Sequence, residues 1–214
     1  MTHSERGYEI RAAMGIAERE TEADNAAFTN MAAVVVLRDA IHAAEKLGRT
    51  TNPEWSRIAE SIVLPKEGGV IVSHDGFQPD EEKGGTPDPL MGVYLLGFDL
   101  EPEVEAATLK FYLCLSEGYI GSPMLSALYG VWAAYTGDRA LSAKLMEDGY
   151  GRFCVGRFMQ TLEYREDVFP EQPRAGPFFA NLGGFILGLL TGFPRASARL
   201  GRRSRLGGAG SDPA

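Results

Sequence analysis

Apolar side chains recur at three- and four-residue intervals along most of the chain, the spacing of helices that bury one face. Between about 25 and 47, Phe28, Met31, Val34, Val35, Ile41, Ala44 and Leu47 fall on one such face, and Gly48 supplies a stop. Pro53, a favoured first-turn residue, opens a second helix with Trp55, Ile58, Ala59 and Ile62 on one side, and Pro65 bounds it. Val104, Ala107, Phe111 and Cys114 or Leu115 predict another helical face, and Leu125, Leu128, Tyr129 and Trp132 the next. Further helices are expected from 138 to about 146 and from 176 to 192, while 158–176 reads largely as loop. The pattern predicts an all-α fold of antiparallel helical hairpins joined by functional loops.

Two stretches break the pattern. Residues 68–89, GGVIVSHDGFQPDEEKGGTPDP, are rich in glycine, proline and charge, with one β-like run at 70–72. Loops of this length are uncommon inside compact domains and tend to be functional, so this one is a candidate rim of a site. From 195 onward the chain is mostly Gly, Ser and Arg, which predicts a disordered tail over 195–214 and leaves 1–194 as one domain. The most apolar run, FFANLGGFILGLLTGF, is shorter than the roughly 20 residues of a membrane span and is interrupted by Asn181 and several glycines. It predicts a buried helix and no membrane partner.

Composition narrows the function classes. At 214 residues and 44% hydrophobic content the chain can bury a core of its own. Beyond Pro194, five arginines and one acid carry +4, so a net charge of −8 leaves −12 on the remainder. Such a body repels phosphate backbones, which argues against nucleic acid as a partner. Cys114 and Cys154 are too few for a disulfide framework and fall in apolar pattern, which predicts buried free thiols. His3, His42 and His74 have no metal-site spacing, and neither a metal nor another cofactor is expected. The start, MTHSERGYEIRAAMG, lacks the apolar core of a signal peptide, which points to the cytoplasm. GYGRFCVG lacks both dinucleotide spacing and a P-loop Lys-Ser/Thr, and the neighbours Ser73, His74 and Asp75 do not make a nucleophilic triad by adjacency.

The acidic residues are more informative. Glu18, Glu20, Glu22 and Asp24 crowd ahead of the first helix. One reading is electrostatic: acids suit the positive end of a helix dipole, and Asp24 or Asn25 would cap it. The other is catalytic. Glu18 and Glu163 both fall in loops beside apolar helical segments, and cleavage of a glycosidic bond needs a carboxylic acid on the leaving oxygen and, for inverting hydrolysis, a carboxylate that activates water. Acidic loop residues in general are mostly solvated surface.

A resemblance favours the catalytic reading. The segment YEIRAAMGIAERETEADNAAFTNMAAVVVLRDAIHAAEKLG resembles the acid-bearing segment of glycoside hydrolase family 65, in which an M-G-x-x-E stretch precedes an N-N-x-x-[YF]-T-N run. Met14, Gly15 and Glu18 match the first part; Asp24, Asn25, Phe28, Thr29 and Asn30 match the second, with Asp in place of the first Asn. HDGF at 74–77, VYLLGF at 93–98 and the closing NLGGFILGLLTGF extend the likeness from Tyr8 to Pro194. It implies the C-terminal half of an (α/α)6 barrel, with Glu18 as general acid, Glu20 and Glu22 as flanking charges, and an α-linked glucoside as substrate. FMQTLEYRED resembles the segment in which hydrolytic members carry their base, and Glu163 matches it. Inverting enzymes hold the two carboxyl groups roughly 6.5–9.5 Å apart. Lys83, in EEKGGTPD, is nearest to the lysine of the family's sugar-binding Lys-Gln pair, and Lys83 and Asp75 are carried as substrate-side residues.

Phosphorylases of the family carry a His-x-Ser-Ser phosphate loop. The matching YIGSPMLS has Ile120 at the histidine and Pro123 at the second serine, which favours hydrolysis and leaves phosphorolysis as the alternative. The residues by which the family recognises glucose from the first half of the barrel have no counterpart. A half barrel would expose helix faces meant for burial, so self-association, or a helical fragment without activity, is the remaining reading.

Overall fold

The computed structural model describes residues 1–18 and 21–207, with side chains through 201. Glu20 therefore lies outside the described residues, as does the tail beyond 207. The described chain is mostly helical with three two-stranded ribbons. Where the sequence pattern predicts one domain over 1–194, contacts divide the chain into two compact units, Met1–Gly118 and Tyr119–Ala214.

The first unit opens with an antiparallel hairpin of β1 (Thr2–Ser4) and β2 (Gly7–Glu9), Thr2 opposite Glu9. Strands of three residues are too short to show alternation, so periodicity gave no sign of them. Helices α1 (Ala27–Lys46) and α2 (Pro53–Ser61) then form the predicted hairpin. Asn52 caps α2 by accepting the Glu54 N–H at 3.0 Å, and Pro53 starts it. The helix stops short of Pro65 because the next residues turn to β2, where the Val63 N–H donates to the Tyr8 carbonyl at 2.8 Å. Ala27, Met31 and Val34 of α1 pack with Ala59, Ile71 and Phe98 as the core.

A ribbon of β3 (Lys66–Glu67) and β4 (Val70–Ile71) leads into the long loop, which ends at α3 (Asp88–Met91), and α4 (Pro102–Cys114) closes the unit. The inward face of α4 is not the apolar row expected. Glu105, Thr108, Leu109, Tyr112 and Leu113 are buried, the Thr108 hydroxyl accepting the Ile71 N–H at 3.0 Å. That rotation leaves Cys114 exposed, correcting the expectation of a buried thiol.

In the second unit α5 (Tyr129–Thr136) and α6 (Arg139–Gly149) pack together, the Ser142 hydroxyl donating to the Gly130 carbonyl at 2.8 Å. Asp138 caps α6 through the Leu141 N–H at 2.8 Å. Trp132, Tyr129, Leu145, Phe153 and Leu162 form the core. A ribbon of β5 (Cys154–Val155) and β6 (Gln160–Thr161) holds Cys154 half-buried.

Two expectations for the C-terminal region are corrected. α7 (Phe179–Leu187) and the wide helical turn Gly188–Gly192 do not form a buried helix: Phe179, Ile186, Leu187, Leu189 and Leu190 are exposed. Helix continues as α8 (Phe193–Gly207) through much of the stretch expected to be disordered. Phe193, Ala196 and Leu200 recur at helical spacing and share a groove with Ala134, Ala143 and Met146, while the Arg199 guanidinium lies 5.0 Å from the Tyr135 ring centre. The few apolar residues in that arginine-rich stretch are thus spaced to bury one side of a helix.

Candidate functional site

The acidic segment ahead of α1 is a loop with a zipped neck. The Asn25 N–H donates to the Ile10 carbonyl at 2.8 Å, and the Ile10 N–H returns to Asn25 Oδ1 at 3.2 Å. Asp24 Oδ1 accepts the Ala12 N–H at 2.9 Å, and Ala13 and Ala23 exchange bonds of 2.9 and 2.8 Å. Residues 14–18 lie beyond this neck, with Glu18 exposed in a turn at φ +50°. The acids sit before the helix rather than in its first turn, which contains none. Neither Asp24 nor Asn25 caps α1. Its first N–H groups are satisfied from a distance, Ala27 by the Ser73 carbonyl at 2.8 Å and Phe28 by Asp88 Oδ1 at 2.7 Å.

Asn25 is the hub of the neck. It is fully buried at φ +55°, a left-handed conformation that Asn tolerates better than most side chains. Its Oδ1 also accepts from Asn30 at 3.2 Å, and Asn30 donates to the Val63 carbonyl at 2.6 Å. Its Nδ2 donates to Asp75 Oδ2 at 2.8 Å. Asp75 is gripped on both oxygens by Arg6, at 2.7 and 2.9 Å. The Arg6 guanidinium, and next the Asn25 amide, hold the Asp75 carboxyl below the usual carboxylate range against the opposing effect of burial. Asp75 therefore closes the loop that carries Glu18.

Lys83 meets Glu18 directly: its Nζ donates to the Glu18 carbonyl at 2.6 Å. The loop bearing Lys83 is tied back by His74, whose Nε2 lies 2.7 Å from Glu81 Oε1 and whose Nδ1 lies 2.8 Å from the Asp75 carbonyl. The structure thus gathers Glu18, Lys83 and Asp75 in the first unit.

Glu163 belongs to the second unit and is half-buried. Its N–H donates to the Ala175 carbonyl at 2.9 Å. Asn181, fully buried in α7, donates to the Leu162 carbonyl at 2.7 Å and accepts the Met124 N–H, so it fastens the Glu163 segment to the 119–126 turn. In that turn the Ser122 N–H donates to the Tyr119 carbonyl at 3.0 Å, the Gly121 N–H to Ser126 Oγ at 3.2 Å and the Leu125 N–H to the Pro123 carbonyl at 2.8 Å. With Met124 bound to Asn181, the amides a phosphate loop would present are engaged within the protein.

The chain matches no family model, and comparison with curated proteins finds no match. Among the described residues no group of three His, Cys, Asp or Glu side chains could hold a metal ion, and no helix is long and apolar enough to cross a membrane. Sequence reasoning missed Arg6, Asp88 and Asn181. For two of them a signal existed: Asp88 stands between prolines ahead of an apolar run, and Asn181 interrupts one.

Proposed function

We propose that the chain carries the chemistry of an inverting α-glucosidase, as part of an (α/α)6 barrel. Glu18 protonates the leaving oxygen of an α-linked glucoside; Glu163 takes a proton from the attacking water, and the product is β-glucose. The observation that carries this reading is that Asp24, Asn25 and Asn30, three of the residues behind the resemblance, form the framework of one hydrogen-bonded loop whose projecting turn bears Glu18. A carboxylate on solvated surface for its own sake has no need of so much buried polar framework. Hydrolysis is favoured over phosphorolysis because the backbone amides of 121–125 that lie in the candidate phosphate turn are already hydrogen-bonded, apart from Pro123, which has none. The cytoplasm is the proposed compartment, and association between copies through the exposed side of α7 the proposed assembly.

Proton NMR of the chain with trehalose, kojibiose, nigerose or maltose in phosphate-free buffer tests the reaction, with newly formed β-glucose as the expected product. Glu18→Gln and Glu163→Gln should each lower kcat by about 1,000-fold or more, because neither amide can exchange the required proton. A near-wild-type rate in either variant removes that residue from the mechanism. A requirement for inorganic phosphate, with glucose 1-phosphate released, would replace the reading by phosphorolysis.

A further inference from the structure

The turn that carries Glu18 is reached from outside by Lys83. Among the described residues of 14–22, the one side-chain bond arriving from elsewhere in the chain is that of Lys83 Nζ to the Glu18 carbonyl, at 2.6 Å. The anchor is itself built. The Gly84 N–H donates to the Glu81 carbonyl at 2.9 Å, the Thr86 N–H to the Lys83 carbonyl at 2.9 Å, and Glu81 is held by His74 at 2.7 Å. A Cβ at Gly84 would lie 2.5 Å from the Pro79 carbonyl oxygen, so this bend needs glycine there. Lys83 takes φ +54° and Glu18 φ +50°, so two long charged side chains stand where glycine would be least strained, on the two sides of one hydrogen bond. Among the described residues Lys83 makes no ion pair; its ammonium goes to a backbone carbonyl.

We infer that Lys83 is the positioning residue of Glu18: by holding the Glu18 carbonyl it fixes the direction in which the carboxyl group leaves the turn. This rests on the reading of Glu18 as the acid. Among the described residues the ammonium meets a backbone carbonyl and no carboxylate, and no other side chain from outside reaches the turn, so the bond serves orientation. Displacement of a reacting group by about 1 Å costs about 100-fold in rate. A positioning role therefore appears in kcat, whereas a lysine that touches the sugar in the ground state appears in KM.

The test compares the full chain with its Lys83→Met, Lys83→Arg and Glu18→Gln variants by amide hydrogen exchange over 15–18 and by β-glucose formation. Lys83→Met is expected to speed exchange over 15–18 by about 10-fold, the loss of one charge-assisted bond, to lower kcat by about 100-fold and to leave KM within about twofold. Lys83→Arg keeps a cationic donor and should recover most of both losses. Glu18→Gln should lose turnover with exchange unchanged, since the bond uses the backbone. Unchanged exchange in Lys83→Met overturns the proposal, as does a raised KM with kcat intact. If the wild-type chain hydrolyses none of the glucosides, the proposed function fails, and exchange still decides whether Lys83 holds the turn.

Discussion

Replacing Asn25 tests the neck of the Glu18 loop. In Asn25→Ala the Ile10 N–H and one Asn30 donor lose their shared acceptor, and Asp75 loses one of its donors. A buried donor left without a partner costs about 1–3 kcal/mol. Alanine must also adopt φ +55°, which for a residue with a Cβ and no local hydrogen bond costs about 1–2 kcal/mol. Together these come to about 3 kcal/mol, or roughly 100-fold in the equilibrium for opening the neck. Asn25→Gly removes the same side chain but accepts the backbone angle, so about 1 kcal/mol of the loss should return. The assay is native-state hydrogen exchange at Ala13, Ala23 and Ala27, whose N–H groups keep their own partners in both variants. An amide in α6, in the other unit, serves as the reference that should not move. Neck protection within threefold of wild type in Asn25→Ala would refute the hub; equal losses for alanine and glycine would refute the contribution of backbone strain.

Acid should loosen the same neck. The folded Asp75 carboxyl titrates below its unfolded value of about 3.9, held down first by Arg6 and then by Asn25. Its contribution is therefore present above pH 4 and lost as pH falls through the folded value. The difference in melting temperature between wild type and Asp75→Asn should narrow as pH falls below 4, and a difference that widens there would contradict this. At Gly92 a Cβ would stand 2.0 Å from Met31 Sδ, whose side chain is fully buried. Gly92→Ala should destabilise by about 1–3 kcal/mol in urea titrations, and an unshifted midpoint would show that Met31 can move aside. Phe179 and Leu190, 72% and 71% exposed, should promote self-association. Sedimentation velocity should show less of it in a Phe179→Ser, Leu190→Glu variant, and equal association would place the contact elsewhere.

The helical framework was legible where apolar and polar residues alternate at helical spacing, as in α1 and α2. It was not where that contrast fails. α7 is apolar nearly all round, so its sequence names no inward face, and the structure turns Asn181 inward while leaving phenylalanine and leucines outside. In α4 the inward row includes Glu105 and Thr108, polar residues that a count of apolar spacing passes over. At the site, the segment from Glu18 to Asn30 could be singled out because its residues are close in sequence. Arg6 could not be assigned to it, because its partner Asp75 lies 69 residues away and nothing local marks a guanidinium for that use. Lys83 was singled out for a sugar contact, and the structure instead sets its ammonium on the Glu18 backbone.

The left-handed backbone at Glu18 and Lys83 sets two selections against each other. A library of variants sorted for folding alone, by protease survival or display level, should enrich glycine at 18 and 83, where it relieves strain. Under the proposed function, the same library sorted for glucoside turnover should purge glycine from both positions. The two enrichment profiles would cross there, so the strain in the turn can be read as a conflict between persistence of the fold and the work done on a substrate.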